Sequence, residues 1–144
     1  MQSTFKRSAL TALAMATALT FAAPALAEMA NFKADLKGSN EVPPNDTKGS
    51  GSVTVTFDTA SKKMSWKGSF SGTTGPAAAA HFHVAEKGKN GGVAVPITGA
   101  EDGSFEGSAT LTDAQASDLM AGKFYVNIHT AAHKPGELRG QVEK

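Results

Sequence analysis

All four histidines of this chain fall in two short clusters. His81 and His83 flank one residue in Ala80-His81-Phe82-His83-Val84, and His129 and His133 stand four apart in Asn127-Ile128-His129-Thr130-Ala131-Ala132-His133. Neutral imidazole is the commonest protein ligand for zinc and copper, so this clustering points first to a metal site. The chain has no cysteine. Thiolate ligands and cysteine nucleophiles are therefore excluded, and a metal would be held by nitrogen and oxygen donors. Three or four imidazoles suit Cu(II) in a tetragonal arrangement or Zn(II) in a tetrahedral one, and the order of intrinsic affinities favours copper, with zinc as the alternative. The plainer alternative is a set of surface histidines hydrogen-bonded to loops.

Side chains two apart in a strand share a face. His81 and His83 therefore project together, outward or into a cleft, while Phe82 packs inward. In the segment 123–129, Phe124, Val126 and Ile128 take one face, and Tyr125, Asn127 and His129 the other. Three imidazoles converge if the two strands meet. His133 follows in a loop before Lys134-Pro135-Gly136 and is free to fold back onto them. Arg139, close in sequence to the second cluster, would either face a small anion at the metal or pair with Glu137 or Glu86.

The elements that must carry these residues are short and alternating. Segments 32–36, 53–57, 64–70, 78–84, 93–97, 104–111, 123–129 and 137–142 alternate apolar and polar residues and are separated by turn residues. Segments 53–57 and 64–70 read as an antiparallel hairpin, and Pro96 places 93–97 at an edge. One helix interrupts the pattern. Thr112 and Gln115 form its capping box, Ala116, Leu119 and Met120 give it an apolar side, and Gly122 ends it. Seven or eight short strands with one short helix predict an all-β fold, an immunoglobulin-like or Greek-key β-sandwich or barrel.

Residues 1–27 are set apart from this pattern. Lys6 and Arg7 precede the uncharged apolar run 8–22, Pro24 breaks it, and Ala25-Leu26-Ala27 is a small-x-small cleavage site. This is the pattern of a secretory signal peptide, too short for a membrane span. The expected mature chain, 28–144, is one domain of ordinary size, periplasmic or secreted. Losing Lys6 and Arg7 takes the formal charge from +1 to −1. A near-neutral chain with dispersed lysines excludes an electrostatic case for nucleic acid, and no second apolar stretch reaches membrane length.

Several of these motifs together resemble the chordin-type (CHRD) domain: Phe32-Lys33-Ala34-Asp35-Leu36, Gly38-Ser39-Asn40-Glu41-Val42-Pro43-Pro44, Ala79-Ala80-His81-Phe82-His83, Gly88-Lys89-Asn90-Gly91, Tyr125-Val126-Asn127-Ile128-His129-Thr130 and Gly136-Glu137-Leu138-Arg139-Gly140-Gln141. The resemblance implies an immunoglobulin-like or Greek-key β-sandwich and carries His81, His83, His129, Glu41 and Arg139 as positions of the family motif. In animal chordin such domains belong to a secreted growth-factor antagonist, and the bacterial ones stand alone. His133 lies where the family more often has asparagine. A looser likeness of arrangement is to the copper site of copper-zinc superoxide dismutase. It implies copper on His81, His83 and His129, with His133 as fourth ligand and Arg139 guiding the superoxide anion. The disulfide, the zinc loop and the electrostatic loop of that enzyme are missing, so the parallel would be a copper-only, more open site.

The function expected from the sequence is an exported copper-binding β-protein, with dismutation of superoxide as its chemistry. Two alternatives stand beside it, a copper-sequestering or carrier protein without turnover and a structural or adhesion module without metal. A homodimer stays open.

Overall fold

The computed structural model describes residues 26–144. The expected leader therefore lies outside the described residues except for Leu26 and Ala27, which are exposed and without regular structure. Eight strands follow: β1 (Met29–Lys37), β2 (Ser50–Asp58), β3 (Lys63–Ser71), β4 (Ala77–Val84), β5 (Gly92–Ile97), β6 (Ser104–Thr110), β7 (Phe124–Thr130) and β8 (Leu138–Gln141), with helix α1 (Asp113–Met120) before β7. They form one antiparallel sheet in the order β5-β4-β7-β8-β1-β2-β3-β6. The ladder is continuous and nearly closes on itself, so the all-β expectation holds and takes its barrel-like form. Strand β5, with Pro96, lies at an edge as expected, and β6 is the other edge.

Period-two patterning builds the core. In β1, Ala30, Phe32, Ala34 and Leu36 are buried while the residues between them are exposed. They face Phe57, Val55 and Val53 across the β1–β2 register, and the β2–β3 hairpin continues the layer through Met64 and Trp66. Phe82, Phe124, Val126, Ile128 and Leu138 complete it, all fully buried. Each such side chain contributes about 1.5–3 kcal/mol of apolar burial, which is how a chain without disulfides holds together.

Helix α1 begins as its sequence dictates. Gln115 N donates to Thr112 Oγ1 at 3.2 Å and Thr112 N to Gln115 Oε1 at 3.0 Å, a complete capping box. Leu119 is fully buried and Gln115 Nε2 ties the helix to Ala94 O in β5 at 3.2 Å. Met120, expected on the apolar side, is 40% exposed instead. Eight residues make little more than two turns, and the apolar contact is made by Leu119 with the partly buried Ala116. Among the described residues no helix is long and apolar enough to cross a membrane.

Strand β7 departs from simple alternation. From Phe124 to Ile128 every residue is buried, on both faces. Its core face packs on Phe82 and Leu138, while its outer face lies beneath the loops that precede β2, β5 and β8. That covered outer face is where the histidines stand.

Candidate metal centre

Strand β4 pairs with β7 so that Ala79 faces His129, His81 faces Asn127 and His83 faces Tyr125. Residues opposite one another in a ladder share a face, so His81, His83 and His129 all stand outside the core, His129 diagonal to His81. Ala79 opposite His129 leaves room for the rings to approach. The His81 and His129 ring centroids are 5.2 Å apart, those of His81 and His83 5.5 Å, and those of His83 and His129 6.1 Å. One ring nitrogen from each lies within 4.8 Å of the others. His81 Nδ1 and His129 Nε2 are 3.3 Å apart. Two nitrogens each about 2.0–2.1 Å from one zinc ion at a tetrahedral angle would be separated by nearly that distance.

The hydrogen bonds fix which nitrogens are free. His83 Nδ1 donates to Gly91 O at 3.0 Å and His129 Nδ1 to Lys134 O at 2.8 Å. Each therefore carries its proton on Nδ1 and keeps the Nε2 lone pair for the cluster. This is the arrangement in which backbone carbonyls orient histidine ligands. His83 Nε2 is buried and has no hydrogen-bond partner. An orphaned acceptor among imidazoles costs free energy unless something occupies it, and a cation fits. Burial lowers the pKa of His81, and the neighbouring His129 lowers it further. For His83 burial again leads; the Gly91 bond opposes it, and His81, His129 and Arg139 add to the lowering. Neutral rings, the metal-binding form, are thereby favoured.

His133 does not join the other three. The turn from Thr130 to His133 closes on itself, with Thr130 N donating to His133 O and His133 N to Thr130 O, and Gly136 N donates to the same His133 carbonyl at 3.1 Å. The His133 ring nitrogens stand outside the donor group of the other three, and its charge has a small lowering influence on the Glu41 carboxyl. The expected fourth ligand is thus not gathered with the other three imidazoles.

Arg139 is also placed otherwise than expected. Its guanidinium is 3.7 Å from the Tyr125 ring centroid, and that ring stacks on His83 at 4.9 Å and 9°. Because β7 lies between β4 and β8, the tyrosine separates the arginine from His83. Arg139 pairs with neither Glu137 nor Glu86. Nη1 donates to Asn90 Oδ1 at 2.9 Å and Nη2 to Lys89 O, so the arginine clamps the β4–β5 loop.

A model of the CHRD domain matches residues 32–142. The chain belongs to the CHRD domain family. No curated protein and no solved structure is significantly similar to it. The motifs that carry the resemblance in sequence are the ones that meet on the outer face of this CHRD domain: the β1–β2 loop brings Glu41, the β4–β5 loop Lys89, Asn90 and Gly91, and the strands bring His81, His83, Tyr125, Asn127, His129 and Arg139.

Three residues at or beside this face have roles that the sequence does not assign. Tyr125 is 2% exposed; its hydroxyl accepts from Gly91 N at 3.0 Å and its ring is the middle of the His83–Tyr125–Arg139 stack. Asn127 sits between His81 and Arg139 in register, donating to Leu138 O at 2.9 Å and to Glu41 Oε1. Burial pushes the Glu41 carboxyl up to about 6 against the lowering by Asn127, Arg139, the Val42 backbone and His133. The third is Glu137, fully buried. Burial alone would raise its carboxyl, but hydrogen bonds from Thr130, Thr47 and Thr74 outweigh that and hold it at about 2. Its bonds tie the loops before β2, β4 and β8 into one knot beside the site. Tyr125 and Asn127 share the His129 face by period two, so the sequence carries a signal for them; Glu137 stands in the closing motif, but nothing in the sequence marks it as buried beneath three threonines.

Proposed function

We propose that this CHRD domain is an exported copper-binding protein in which His81, His83 and His129 hold the metal. The observation that carries the reading is the prepared donor set. Two of the rings have their protonated nitrogens tied to backbone carbonyls, and the buried Nε2 of His83 has no other partner. Copper is preferred to zinc because an all-imidazole site without thiolates leaves selection to the order of affinities, in which copper stands highest. Export follows from the signal-peptide pattern of residues 1–27.

Within this reading, holding or carrying copper is favoured over dismutation of superoxide. The positive charge expected to draw an anion to the metal is that of Arg139, and the Tyr125 ring stands between the two. Electron paramagnetic resonance of the metal-stripped protein, given one equivalent of Cu(II) and desalted, tests the proposal. The expected spectrum is axial with nitrogen hyperfine structure, lost in His83→Ala and His129→Ala and kept in His133→Ala. Copper that washes out of the unaltered protein, or stays in both of the first two variants, would sink the proposal; retention of Zn(II) alone would turn it to zinc.

A further inference from the structure

A groove of about 560 Å³ opens on the far side of Arg139, bounded by β1, β8 and the loops after β1 and β4. Lys33, Lys37, Lys87, Arg139 and Lys144 line it together with Asp35, Glu41 and Glu143. Lys87 is paired with Glu143 at 2.9 Å. The other four cations have no carboxylate within ion-pair distance among the described residues. Counting side chains, they face the two remaining carboxylates, Asp35 and Glu41, an excess of two positive charges. Lys37 stands directly opposite Arg139 in the β1–β8 register, a juxtaposition of like charges that is destabilising when nothing lies between them.

Arg139 is the decisive member. It is only 2% exposed, and the two acceptors it meets, Asn90 Oδ1 and Lys89 O, are both neutral. A guanidinium has five N–H donors, so more than half of its capacity remains. The Glu41 carboxyl in the same groove feels its charge but lies beyond ion-pair distance. A buried cation without a directly bonded counter-ion is unfavourable, and the groove is the side from which one can reach it. The planar fork of arginine matches carboxylate and phosphate oxygens, and the flexible lysines add charge without fixing geometry.

We propose that this groove binds a doubly charged oxyanion, a phosphate group or a dicarboxylate, held by Arg139 with Lys37 and Lys33. The site is separate from the histidine cluster and stands whether or not that cluster binds copper. It is tested on the metal-stripped protein at low ionic strength, by following backbone amides by NMR during titration with inorganic phosphate in one arm and succinate in the other. Saturable one-site changes centred on Lys37, Arg139 and residues 88–90 are expected in at least one arm, and the arm that saturates first names the class. Lys37→Ala, on an exposed position, should weaken binding about tenfold, the loss of one charge-assisted hydrogen bond. Lys63→Ala, on β3 away from the groove, should leave it unchanged. Absence of saturation in both arms overturns the proposal, as does equal weakening by the two lysine variants.

Discussion

At the scale of single residues, this protein keeps two carboxylates out of water and treats them in opposite ways. Glu41 and Glu137 are both buried, yet Glu41 titrates at about 6 and Glu137 at about 2. The difference is the number of donors. Glu137 receives hydrogen bonds from three threonine hydroxyls and one backbone N–H, whereas the Glu41 side chain has the Asn127 amide and a weaker pull from the Val42 backbone. Glu137 has a folded pKa below its ordinary 4.5, so its stabilisation is complete above pH 4.5 and is lost as pH falls toward 2. Replacing it by glutamine, Glu137→Gln, should cost about 3 kcal/mol at pH 7. The gap between variant and parent should close as pH drops from 4.5 to 2, as urea unfolding at a series of pH values would show. A pH-independent gap would mean that the knot depends on shape and not on charge. The histidine cluster is legible in the sequence because period two places His81, His83 and His129 on one face whatever the rest of the fold does. Arg139 is less legible. Its face is given by the same rule, but the ring that separates it from His83 depends on β7 lying between β4 and β8, and strand order is not written in any one segment.

At the scale of elements, the β4–β5 loop is held against the outer face by His83, Tyr125 and Arg139, and by Asn90 Nδ2 donating to Val42 O at 3.0 Å. Its turn signal, Asn90-Gly91-Gly92, was visible, but the reason for Gly91 lies in the packing. A Cβ there would be 1.8 Å from Val84 O. Gly88, in the same loop, has φ +79 and open space around it. Gly88→Ala should therefore cost only the left-handed backbone penalty, about 1–2 kcal/mol. Gly91→Ala should cost more and should also release the His83 Nδ1 bond. Comparing unfolding free energies with hydrogen exchange at residues 85–91 checks this: slow exchange preserved in Gly91→Ala would contradict the clamp. Strand β7 shows where alternation stops being informative. With both faces buried, Tyr125 and Asn127 look like ordinary outward residues until the covering loops are known.

For the molecule as a whole, the eight-strand sheet and its capped helix followed from local patterning, whereas the covered polar layer did not. It is assembled from three loops distant in sequence, and their convergence is a property of the nearly closed sheet. One feature of that sheet makes the polar layer observable from inside. Trp66 is the sole tryptophan, its Nε1 buried without a hydrogen-bond partner, and it packs edge-on against Phe82 at 5.1 Å. Phe82 is the residue between His81 and His83, pointing the other way through the sheet. The indole is thus an optical gauge set beneath the histidines, on the order of 10 Å from them by sheet-packing distances. Its emission should be blue-shifted, as in an apolar solvent. One equivalent of Cu(II) should quench it and Zn(II), with its filled d shell, should leave it bright. His83→Ala should lose the quenching, and bright emission from a copper-loaded sample would show that the metal sits elsewhere. The protein carries its own lamp, and occupancy of the histidines can be read without a label.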